Sequence, residues 1–152
     1  MAKRFQFRLA TLLKIRDAKK KEAQRILGIH MAELMRLQDH QKWLHGQKNQ
    51  AAHSRRADKG QAVSMETWRS IERFLVSMDR KIADTSEKIA QAQILVEKAR
   101  KELTKAHQAH LTLQRLKERR QEQYNYEVSL DEQKQADELA IMRYQFNSST
   151  AS

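Results

Sequence analysis

The 152-residue sequence contains no cysteine and no proline, only three glycines, and aromatic residues at 6%. Without cysteine there are no disulfides and no thiolate metal ligands, which fits a reducing compartment. Without proline, and with glycine only at 28, 46 and 60, almost nothing interrupts a helix. No apolar run approaches the ~20 residues that span a bilayer. The segment after the basic N-terminus is broken by Arg8 and Lys14, so it lacks the apolar core of a secretion signal, and the working chain is expected to begin near Met1. Gly-Lys-Ser/Thr, Gly-x-Ser-x-Gly and His-Glu-x-x-His are all missing, so neither nucleotide hydrolysis nor a hydrolase or zinc-protease site is expected.

What remains is a hydrophobic content of 39% within a chain rich in Ala, Leu, Glu, Lys, Gln and Arg, which suits a thin helical seam better than a globular core. From Trp68 the apolar residues recur in alternating steps of three and four: Ile71, Leu75, Met78, Ile82, Thr85, Ile89, Ala92, Val96, Ala99, Leu103, Ala106. This is the heptad signature of a left-handed coiled coil, with Thr85 its one polar member. It frays afterwards at His110, Lys117 and Arg120. A looser seam precedes it, through Leu9, Leu13, Arg16, Lys20, Ala23, Leu27, His30, Leu34, Leu37, Gln41 and Leu44.

Between the two seams, over 47–63, periodicity is lost; Gly60 suits a turn and Ser64 a helix N-cap. The expected fold is therefore all-α, an antiparallel two-helix coiled-coil hairpin with the second helix overhanging the first. It forms a single domain over 1–146, with helix one at about 3–48, the turn at about 49–63, helix two at about 64–146 and a flexible tail at 147–152.

Pairing a positions with facing d positions across that turn gives partners whose numbers total about 115 or 116, centred near Asp58. Leu44 then meets Ile71, Leu37 meets Met78, Ala23 meets Ala92, Leu9 meets Ala106, and His30 lies opposite Thr85. Lys42 approaches Glu72 on one flank, and Trp43 faces Phe74 on the other. That aromatic pair is either a docking anchor or a cover over the seam. Phe5 falls opposite residue ~111, so helix two runs on alone for roughly thirty residues, about 45 Å. The overhang carries Leu116, Tyr124, Tyr126, Leu130, Leu139 and Met142, which need a partner.

The net charge of +11 is uneven: residues 1–25 and 95–120 are basic, and 121–152 hold six acidic against two basic residues. The basic runs at 19–21 and 115–120 lack the interleaved aromatics that stack bases, so a solvated basic face is favoured over nucleic-acid binding. His107 with His110, and His40 with His45, supply too few ligands for a zinc site, and no metal or other cofactor is expected.

The opening Phe5-x-Phe7-x-Leu9-x-x-Leu12-Leu13-x-x-Arg16, with residues 23–28 after it, resembles the start of the FliJ family of flagellar export proteins. The segment 130–140, with Lys134, Asp137, Glu138 and Ala140, resembles that family's Lys-x-x-Asp-Glu-x-x-Ala close, and Trp68-x5-Phe74 after the turn agrees. The resemblance implies a cytoplasmic, non-enzymatic component of bacterial type III flagellar export, peripheral to the inner face of the cell membrane at the flagellar base. It reaches the membrane only through its partners. Those implied are the hexameric export ATPase, the cytoplasmic domain of the export-gate membrane protein, and export chaperones.

By the same resemblance Phe74 matches the gate-contacting aromatic and Met78 the apolar position beyond it, with Trp43 and Leu44 alongside; two family-like tyrosines are replaced by Gln47 and Ala51. Phe5, Leu9, Leu130, Lys134, Asp137 and Glu138 are expected at the ATPase ring, and Arg8, Arg16, Lys20, Arg115 and Arg119 are expected to steer insertion. The competing readings are a basic coiled coil that binds nucleic acid, and a stalk or tether of another secretion or ATPase machine.

Overall fold

A computed structural model describes residues 4–57 and 64–151, and places two helices, α1 (Ala10–Ala57) and α2 (Met65–Thr150), packed antiparallel. No strand occurs among the described residues. Both helices outlast the sequence-based bounds. Helix α1 continues nine residues beyond position 48 to Ala57. Helix α2 runs through the expected tail to Thr150, where Ala151 N–H still donates to the Asn147 carbonyl at 3.2 Å. Gly60 and Asp58 lie outside the described residues.

Ser64 caps α2 as its sequence predicts: its hydroxyl accepts from Thr67 N–H at 3.3 Å, and Glu66 sits in the positively polarised first turn. Gly28 and Gly46 stand mid-helix with open space where a Cβ would go. Each Gly→Ala substitution is expected to raise stability by about 0.5–1 kcal/mol, checked by urea titration.

The contacts divide the chain into two units, Lys20–Lys105 and Met1–Lys19 with Ala106–Ser152. In the Lys20–Lys105 unit, Leu37 packs with Ile89 and Ala92, flanked by Leu34. Gln41 donates from its amide to Ser86 Oγ at 2.6 Å, Lys48 reaches Asp79 at 2.5 Å, and Arg55 pairs with Glu72 while lying 5.2 Å from the Trp68 ring centre. The residue numbers of the three polar pairs each total 127.

The register expected from the sequence is therefore displaced by eleven to twelve residues, about three helical turns. The reason lies in the heptad labels. Leu44 and Ile71 each end a three-residue step, so both are d positions, whereas antiparallel helices set a against d. Leu37 meets Ile89 rather than Met78, and Glu72 pairs with Arg55 rather than Lys42. The cross-helix polar contact at this level is that of Gln41 with Ser86, the residue after Thr85, and does not involve His30. Gln41 and His30 lie eleven positions apart on the same seam, so the displaced register also matches polar with polar. Thr85, buried in the seam, satisfies its hydroxyl by donating to the Lys81 carbonyl at 2.8 Å.

In the other unit, residues 4–7 are not helical, and exposure alternates along the segment: Phe5 and Leu9 are half-buried, Phe7 is buried, and residues 4, 6 and 8 face solvent. Helix α1 thus begins at Ala10, not near residue 3, because Phe5, Phe7 and Leu9 bury one face at the two-residue period of an extended chain.

Candidate docking surfaces

The N-terminal strap reshapes the end that carries most of the proposed docking residues. The Phe5 ring lies 5.6 Å from that of Tyr124, and Arg120 is stacked 6.0 Å over Phe7. Arg16 donates to the Ala109 carbonyl at 3.0 Å, and His110 approaches Asp17 at 3.6 Å. The irregular seam residues His110 and Arg120 are thereby absorbed as partners of α1 and of the strap. Phe5 meets Tyr124 rather than residue 111, because the register is shifted and an extended residue advances ~3.3 Å against ~1.5 Å in a helix. Phe7→Ala is expected to free the strap, seen as faster amide exchange at its flanks and greater exposure of Tyr124.

The overhang is correspondingly shorter. Tyr124 and Val128 are still half-buried, and every residue over 129–151 is exposed. Leu130, Lys134, Asp137 and Glu138 lie on this segment. At ~100° per residue, Leu130, Ile141 and Tyr144 share one side, whereas Leu139, Met142 and Phe146 point the opposite way, all of them exposed. Ile141, Tyr144 and Phe146 are exposed apolar residues of this segment that do not figure among the sequence-based candidates. Their signal was there, in apolar residues that fit no single stripe.

Of the cations proposed to steer, Arg8, Arg115 and Arg119 are exposed, while Arg16 is engaged with Ala109. Lys20 is half-buried and belongs to the other unit. Arg16 thus holds the helix pair together instead of presenting charge to a partner.

The second proposed surface does not form as one patch. Leu44 is 1% and Met78 5% exposed, so both are seam residues with no face to offer. Trp43 is 57% and Phe74 39% exposed. The observed register sets Phe74 level with residue 53, so the two aromatics stand ten residues apart along the helices, about 15 Å. Trp43 instead stacks on His40, with ring centres 6.0 Å apart and planes at 17°.

Among the described residues no group of three or more His, Asp or Glu is placed to hold a metal ion, and no helix is long and apolar enough to cross a membrane. Two long helices packed against each other along an apolar seam define a helical hairpin. The family model described as "Flagellar FliJ protein" matches residues 5–149, and the chain belongs to the FliJ family. Neither the curated proteins nor the solved structures returned a match. Family membership makes this a protein related to flagellar export.

Proposed function

We propose that the chain is a non-enzymatic adaptor of flagellar protein export, whose terminal overhang is held inside the ring of the hexameric export ATPase. The observation that carries this reading is the pair of opposed apolar faces beyond residue 128. A helix apolar on one face is satisfied by one flat partner, whereas one apolar on both must be enclosed. Phe5, Leu9 and the strap brace the base of that helix, and Arg8, Arg115 and Arg119 supply exposed positive charge beside it. Cations so placed raise the rate of encounter with an electronegative opening.

In this reading Phe74 docks the cytoplasmic domain of the export gate without help from Trp43, Leu44 or Met78. The chain also escorts export chaperones, working in the cytoplasm and reaching the membrane only through its partners at the flagellar base.

Truncation after Val128 is expected to abolish binding to the purified ATPase hexamer while leaving the thermal melt of the hairpin nearly unchanged, because residues 129–151 are all exposed. Retained binding by the truncated chain would refute enclosure. Joint reversal of Arg8, Arg115 and Arg119 to Glu should slow association at low salt and lose that effect at high salt. Equal rates for variant and wild type would remove the steering role.

A further inference from the structure

Helix α1 carries a second stripe, one residue behind its buried seam, through Ile26, Ile29, Glu33, Arg36, His40 and Trp43. The steps alternate three and four, the spacing of a helix-packing ridge. The polar and aromatic members of the stripe pair with one another along α1, Arg36 with Glu33 and His40 with Trp43. Ile29 is 53% exposed, Ile26 is exposed, and the stacked His40 and Trp43 rings form an exposed aromatic platform. Between the aliphatic and aromatic ends, Arg36 donates bidentately to Glu33, with Nη2 to Oε1 at 2.6 Å and Nε to Oε2 at 3.0 Å. The Arg36 guanidinium, hydrogen-bonded to Glu33, holds that carboxyl below its usual value.

The stripe is complementary to itself read backwards. Turned about a two-fold axis between Leu34 and Met35, Ile26 meets Trp43 of a second copy, Ile29 meets His40, and Glu33 meets Arg36, each pair totalling 69. Aliphatic side chains fall on aromatic faces, and acid falls on base at the centre. A parallel pairing would instead put Glu33 on Glu33 and Arg36 on Arg36. Leu95, exposed on α2, lies level with residue 32 in the observed register and extends the apolar rim near that axis.

The geometry points to an isologous dimer of this chain, with two copies of α1 packed antiparallel through Ile26, Ile29, Glu33, Arg36, His40 and Trp43. The stripe spans seventeen residue steps, about 26 Å of helix. A contact of that extent lies below ~1,200 Å² and belongs with reversible association, micromolar or weaker. The dimer is independent of the ring-binding proposal, because it uses none of residues 129–151 and none of Phe5, Arg8, Leu9, Arg115 or Arg119.

Sedimentation equilibrium of the full chain over a range of concentrations tests it, with charge complementation as the deciding experiment. Glu33→Arg and Arg36→Glu should each be monomeric, since each places like charges across the two-fold axis, and each should keep the wild-type helical circular dichroism signal. An equimolar mixture should recover association, because the two guanidinium groups of the first variant then face the two carboxylates of the second. Ile29→Asp should dissociate the dimer in every mixture. A wild type that is monomeric at all concentrations overturns the proposal and leaves the stripe to a different protein. Single variants that associate like wild type, or a mixture that stays monomeric, also overturn it.

Discussion

Replacing Leu44 by Ala is expected to lower the unfolding free energy by about 2–5 kcal/mol, with a fall in the melting midpoint of roughly 5–15 °C. Leu44 is the largest fully buried side chain among the described residues, at 1% exposure. Truncation leaves a void that two straight helices close poorly, because relaxing one layer disturbs its neighbours. Leu44→Asp should be worse, placing an unpaired carboxylate in the same layer. Ile94 provides the contrast: it is a large aliphatic residue on the outside of α2, and its substitution by Ala should cost within ~0.5 kcal/mol. Equal losses at Leu44 and Ile94, measured by thermal and urea unfolding, would contradict the seam described above.

The register offers a nearly all-or-none test. The chain has no native cysteine, so introduced pairs report without interference. Gln41→Cys with Ser86→Cys should form an intramolecular disulfide readily, because those two side chains are in contact across the helices. Lys42→Cys with Glu72→Cys should not, since Lys42 stands level with residue 85, about 20 Å along α2 from position 72. A disulfide needs Cα atoms within ~7 Å. Mass spectrometry of the oxidised chains decides between the two registers, and a reversed pattern would restore the one in which residue numbers total about 115.

The same residues show why the register was hidden while the helices were legible. Helix formation depends on local choices: no proline, few glycines, strong helix formers, and a seam from Trp68 to Ala106 that alternates three and four without a break. The Ser64 cap was legible for the same reason, since its hydroxyl acts within one turn. The strap was nearly legible as well. Phe5, Phe7 and Leu9 carry a period of two, but a helical seam drawn back through Leu9 absorbed them.

Register depends on which layers meet, and a heptad seam displaced by three turns still presents apolar against apolar. His30 and Gln41, eleven apart, even put a polar residue at the level of Thr85 in either register. The paired aromatic patch at Trp43 and Phe74 was a product of that displaced register and dissolved with it. The overhang kept its exposure because α1 does not reach it in either arrangement, and Phe74 remains 39% exposed.

The sequence by itself determined that this chain is two long helices with a seam, a cap, a basic region followed by an acidic end, and apolar residues that outrun their partner. Each of those follows from spacing, composition or charge within a few turns of the residue concerned. Only the tertiary structure decided that Gln41 bonds Ser86 across the helices, that Arg16 is tied to Ala109, and that the overhang begins after Val128. Those outcomes depend on the summed packing of many near-equivalent layers along both helices, a quantity that no local pattern contains.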